Sequence, residues 1–187
     1  MNPRVLLIVL AMAASIAALA WILLTGGGPV NTPFQDDTVV IEPTPTPAPN
    51  QQIVLLFAGP DGRLHPELRN VSLPAEVHER AHTVVRELLA GPTGTLEAVV
   101  PYAAEVNAVY VDGEGRAFID LSAPPEPLQG SHVELMLAYG VIDSVLLNCP
   151  ELTAVQLLFD GHEVPTLTGH LDLSRPLVLN KRFIASS

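Results

Sequence analysis

The chain has 187 residues, enough for one ordinary domain with attachments, and its nine basic and twenty acidic residues give a formal net charge of −11. It has no basic cluster, which argues against nucleic acid as a partner, because phosphate contacts need concentrated Lys and Arg. Its single cysteine, Cys149, excludes an intrachain disulfide and, between an apolar run and Pro150, suits a small buried hydrophobe.

The mean hydropathy of +0.35 is high, and much of it comes from the start of the chain. Val5 to Leu24 is apolar except for Ser15, and about 20 such residues span a bilayer as a helix. Arg4 precedes the run, and no Lys or Arg follows until Arg63. By the positive-inside rule the N-terminus is expected in the cytoplasm and the remainder outside. Ala18-Leu19-Ala20 offers a signal-peptide cleavage site as the alternative, but Trp21 to Leu24 continues the apolar stretch past it. Signal h-regions run only about 7–15 residues. Residues 1–24 are therefore read as an uncleaved anchor in the bacterial cytoplasmic membrane. Residues 25–50 read as a linker: Gly26-Gly27-Gly28-Pro29 breaks the helix, and Pro43, Pro45, Pro47 and Pro49 favour an extended polyproline form.

Residues 51–187 can bury a core of their own. Ile53 to Phe57 is a continuous apolar run and reads as a buried strand. Gly59-Pro60-Asp61-Gly62 is turn chemistry, and Arg63 to Val71 reads as a returning strand. Pro74 suits a helix start. Beyond it Val77, Ala81, Val84, Val85, Leu88 and Leu89 fall on one helical stripe, which Gly91-Pro92 terminates. Val106–Val111 and Ala117–Leu121 read as a hairpin about Asp112-Gly113-Glu114-Gly115.

After the Pro-rich loop Ala123–Gln129, Gly130 or Ser131 is placed to cap a second helix reaching about Leu147. That helix is apolar nearly all round, so it must be buried on several sides, inside the fold or against a partner. Gly140 in its middle points to close packing. Ala154–Phe159 is another buried strand, Asp160-Gly161 a turn, and Glu163–Leu167 a returning strand. Hairpins divided by helices predict an α+β domain, with two helices packed on one face of a small mixed or antiparallel sheet.

In this order and spacing the pieces resemble the GerMN domain family, named for a sporulation and spore germination protein. The resemblance covers about Ile53 to Leu177. It is carried by Asp61-Gly62-Arg63-Leu64, by Leu88-Leu89-Ala90-Gly91-Pro92, and by Val109-Tyr110-Val111-Asp112-Gly113 leading to Ile119-Asp120-Leu121-Ser122. It ends on Val155-Gln156-Leu157-Leu158-Phe159-Asp160-Gly161 and Gly169 to Leu177. The resemblance implies a non-enzymatic domain of exported, membrane-attached bacterial proteins. Related folds build rings in a channel between two membranes during sporulation, and similar domains sit in envelope lipoproteins. It supplies no catalytic, metal or cofactor residues.

One motif opposes that reading. His78-Glu79-Arg80-Ala81-His82 fits H-E-x-x-H, which on a helix sets two imidazoles on one face for zinc with Glu79 as general base. The alternative function is therefore a membrane-anchored zinc metallohydrolase. Against it, the core stripe centred on Ala81 and Val84 sends Glu79 and His82 toward the rim. A third ligand would also have to come from His132, His162, His170 or Glu163, none in a recognised zinc context. Ser122 has no evident general base. Asp112, Glu114 and Asp120 lack calcium-loop spacing and read as solvated turn carboxylates. His170 reads as a turn or edge residue, and Tyr102 and Tyr139 as partly buried. The preferred function is a cell-envelope interaction or scaffold domain, with a protein partner or a second copy and no cofactor. The surplus apolar surface of the second helix motivates the partner.

Overall fold

The computed structural model describes residues 50–186. The expected anchor and most of the linker lie outside them. Among the described residues no helix is long and apolar enough to cross a membrane.

Strand β1 (Asn50–Ala58) pairs antiparallel with β2 (Leu64–Ser72), from Asn50 against Ser72 to Ala58 against Leu64. The turn closes because Gly62 takes φ +74° and the Asp61 carboxylate accepts the Arg63 N–H at 3.1 Å. Helix α1 (Val77–Leu89) follows and buries Ala81, Val84, Val85 and Leu88, the predicted stripe. Gly91 ends it at φ +83°. The Arg69 guanidinium, stacked 5.6 Å above Phe57, also donates to the Glu87 and Gly91 carbonyls, a cationic cap on the helix C-terminus.

Strands β3 (Val106–Val111) and β4 (Arg116–Leu121) form the second hairpin. Gly115, not Gly113, takes the positive φ, and the Asp112 carboxylate accepts the Glu114 and Arg116 N–H groups at 2.9 Å each. Helix α2 (Ser131–Asn148) then crosses over, so that β5 (Ala154–Phe159) lies parallel to β4. The two-residue β6 (His162–Glu163) completes the order β3-β4-β5-β6.

Two findings correct the expected arrangement. The strands form two sheets rather than one, because the outer edge of β1 is closed by side chains of α2 instead of a strand. Val54 N–H donates to Asn148 Oδ1 at 2.9 Å, Asn148 Nδ2 returns to the Val54 carbonyl at 2.7 Å, and Leu56 N–H donates to Ser144 Oγ at 3.0 Å. Four helical residues rise about 6.0 Å and two strand residues about 6.6 Å, so a polar pair at i, i+4 matches alternate strand amides. Ala58 exchanges both bonds with Glu97 to close the rest. The second correction concerns α2 itself. Its all-round apolar surface is absorbed by the fold: Met136 through Leu146 is buried throughout, against β1, β5, α1 and the C-terminal segment. The helix therefore gives no reason of its own to expect a partner. Gly140 is the close approach expected of it, since a Cβ there would stand 2.8 Å from Val99.

Candidate functional site

The H-E-x-x-H residues lie on the solvent side of α1. His78 and Glu79 are exposed and His82 half-buried. With Pro74, Thr83 and Val109 they edge a shallow depression of about 270 Å³, a concavity the periodicity did not foresee. Among the described residues no three His, Cys, Asp or Glu side chains come together as a metal set. The other histidines have separate positions. His132 lies against Gly62, His162 Nδ1 is 2.7 Å from the Asp160 carbonyl, and His170 Nδ1 is 3.0 Å from Thr168 Oγ1. Within the motif, Arg80 ion-pairs with Glu151 and approaches the Cys149 thiol, clamping α1 to the turn after α2.

The remaining polar candidates are also tied into the fold. Ser122 Oγ accepts the Glu105 N–H at 2.9 Å, and the Tyr102 hydroxyl donates to the Ser122 carbonyl at 2.9 Å. Burial, aided by the Asp160 charge, pushes that phenol up to about 12. Asp112 binds Arg116 Nε at 2.6 Å and is held below the ordinary carboxylate range, chiefly by the Arg116 backbone N–H. Asp120 is not a solvated turn residue: it is buried and accepts the Gly161 N–H at 2.8 Å.

Sequence reasoning missed two buried carboxylates, both on α2. Glu134, fully buried in the first turn, accepts six hydrogen bonds. Oε1 receives the Thr166 hydroxyl and the Leu167 and Thr168 N–H groups, at 2.5, 2.7 and 3.0 Å. Oε2 receives the Thr168 hydroxyl and the His170 and Leu171 N–H groups, at 2.8, 2.9 and 3.1 Å. Burial raises its pKa, but the donors led by Thr166 outweigh it and hold the carboxyl at about 2. Asp143 is the opposite case. Oδ1 accepts the Asn180 N–H at 3.0 Å, Oδ2 has no partner among the described residues, and burial pushes the carboxyl up to about 6. The signal for both was an acidic residue inside an apolar helix, which a solvent-facing reading of charge passes over.

Asp143 and Tyr139, whose ring stacks on Phe183 at 4.7 Å, hold the C-terminal segment across the first hairpin. That segment bridges to Leu64, which donates to the Phe183 carbonyl and accepts the Ala185 N–H, both at 2.8 Å. Beside it lies an apolar depression of about 370 Å³, floored by Val54, Leu56 and Pro66 and walled by Leu147 and Ile184, with Lys181 at its margin. Leu68, directly across from Val54, extends the same face into solvent and is 58% exposed.

No curated protein matches the chain. Among solved structures it is similar to a candidate lipoprotein from Clostridium perfringens at 20% identity. That likeness covers 69% of this chain and 87% of that one, with a TM-score of 0.50. It is also similar to the tandem GerMN domains of the sporulation protein GerM from Bacillus subtilis at 18% identity, again with a TM-score of 0.50. There the likeness covers 70% of this chain but 46% of the tandem pair. At these identities both are likenesses of fold. The family model described as "Germane: Sporulation and spore germination" matches residues 54–165, from β1 through β6. That span covers more than half of the sequence, and the chain belongs to this family.

Proposed function

We propose that the chain is a non-catalytic interaction domain of the bacterial cell envelope. Residues 1–24 hold it in the cytoplasmic membrane with the N-terminus inside, residues 25–50 are a spacer, and residues 51–187 present the binding surface outside. The apolar run and charge asymmetry of the N-terminus support the anchor. The family's description supports a place in sporulation or germination, and the fold shared with a candidate lipoprotein agrees with attachment to a membrane. The observation that carries the binding role is the apolar depression over the first hairpin, with Lys181 at its margin and the exposed Leu68 beside it.

Chemical crosslinking of the full-length chain in its native membranes, followed by affinity capture, tests this reading. The expected result is a discrete adduct, lost when Leu68 is changed to Asp, from a protein that resists alkaline extraction. A freely soluble protein, or an adduct indifferent to Leu68→Asp, would overturn it. Zinc analysis addresses the hydrolase alternative: the purified protein is expected to hold no stoichiometric zinc, and zinc lost on His78→Ala would restore that alternative.

A further inference from the structure

Two imidazoles on α1 are unengaged. Elsewhere His65 Nε2 is 2.8 Å from Asp61 Oδ1, His162 meets the Asp160 carbonyl, and His170 meets the Thr168 hydroxyl. Among the described residues, His78 and His82 have neither a hydrogen bond nor an ion pair. They stand four residues apart on one helix, which makes them neighbours on its surface, with Cβ atoms about 5–6 Å apart. Helical side chains lean toward the N-terminus, and both rings line the same depression, with Pro74, Glu79, Thr83 and Val109.

The turn that carries them is fixed from both sides. Arg80, between the pair in sequence, ion-pairs with Glu151 and donates to the Ala75 carbonyl at 3.3 Å. The buried Thr83 donates its hydroxyl to the Glu79 carbonyl at 2.9 Å. Two imidazoles held by one anchored helix form a chelate that needs no loop to close. Imidazole suits zinc, copper and nickel, whereas calcium and magnesium prefer oxygen ligands. The positive end of a helix disfavours a cation, but Glu76 and Glu79 place two carboxylates at this one. The net charge of −11 acts in the same direction.

We propose that His78 and His82 form an exchangeable two-ligand site for a divalent transition ion of the zinc class. Among the described residues no third His, Cys, Asp or Glu completes a set, whereas a catalytic zinc keeps three protein ligands. Two of the four tetrahedral positions are therefore left to water or to a donor on another molecule. With half the ligands of a structural zinc site, the ion binds in the micromolar range and exchanges instead of staying through purification. The site shares no residue with the depression over the first hairpin. It thus goes beyond the binding role above and stands or falls separately.

The test titrates the full-length chain, without a histidine tag and in mild detergent, with zinc chloride and separately with nickel chloride. Calorimetry is expected to show one ion bound per chain, and zinc to raise the midpoint of thermal unfolding. His78→Ala and His82→Ala should each weaken binding at least about tenfold and abolish that rise. Neither side chain is buried and alanine favours a helix, so both variants fold. His162→Ala and His170→Ala should change neither readout. Binding that survives in the double variant His78→Ala, His82→Ala would mark scattered surface contacts and overturn the proposal. So would the absence of binding up to millimolar ion. Stoichiometric zinc carried through purification would also overturn it, in favour of the hydrolase alternative. The membrane-extraction and Leu68→Asp adduct results, which decide the broader binding role, do not depend on any of these outcomes.

Discussion

Replacing Glu134 by Gln tests what holds the loop from Thr166 to Leu171. The amide keeps one oxygen, enough for the Thr166 hydroxyl and the Leu167 and Thr168 N–H groups, but it turns an NH2 toward the other three donors. The Thr168 hydroxyl can rotate and accept; the His170 and Leu171 N–H groups cannot. Each buried donor left unmatched costs about 1–3 kcal/mol, and partial hydration of the exposed His170 reduces the sum, so a loss of about 3 kcal/mol is expected. Urea unfolding of residues 50–187, which contain the core seen among the described residues, measures that loss. Hydrogen exchange should at the same time show the His170 and Leu171 amides unprotected while Leu167, Thr168, β1 and β4 stay protected. The pH dependence gives a second check. With a folded pKa of about 2 against an ordinary 4.5, this carboxylate contributes stability that is present above pH 4.5 and lost as pH falls toward 2. That slope should be absent in Glu134→Gln. A loss under about 1 kcal/mol with the His170 and Leu171 amides still protected would refute the reasoning.

Asp143 should give the opposite pH dependence. Its folded pKa of about 6 lies above the ordinary 3.8, so the protonated form contributes stability that is full below pH 3.8 and lost as pH rises through 6. Asp143→Asn removes this dependence, and the stability difference between variant and parent should change by about 3 kcal/mol between acid and neutral pH, read as diverging urea midpoints; parallel profiles would count against it. Gly140→Ala, which would stabilise an exposed helix, should instead destabilise by about 1–3 kcal/mol because its Cβ meets Val99. Adding Val99→Ala should recover part of that loss in thermal unfolding. Asn148→Leu should speed exchange of the Val54 amide selectively, since its acceptor is removed.

The elements themselves were legible because each carries a local signal. The strands at Val106 and Ala154 begin at the residues their apolar patterns indicate, and Gly91 ends α1 where its φ of +83° requires it. The division into two sheets was not legible. It depends on Ser144 and Asn148 reaching β1 amides 88 and 94 residues away, and no window of sequence registers that contact. The expected strand Glu163–Leu167 contracts to His162–Glu163, because Pro165 lacks an N–H and Leu167 donates to Glu134 instead. The H-E-x-x-H motif could be recognised as a pattern, but whether a third ligand stood near it was a matter of tertiary structure.

The bond from Val54 to Asn148 also has a consequence in time. Synthesis delivers the chain from its N-terminus, so the first hairpin can close while the helix that closes the β1 edge has yet to arrive. For that interval both flanks of the hairpin are exposed, and a neighbouring nascent chain can join it as readily as the proper helix can. Folding yield should therefore depend on how soon the last third of the chain follows the first, and a stalled or truncated product ending before Ser144 should aggregate rather than persist as a smaller domain.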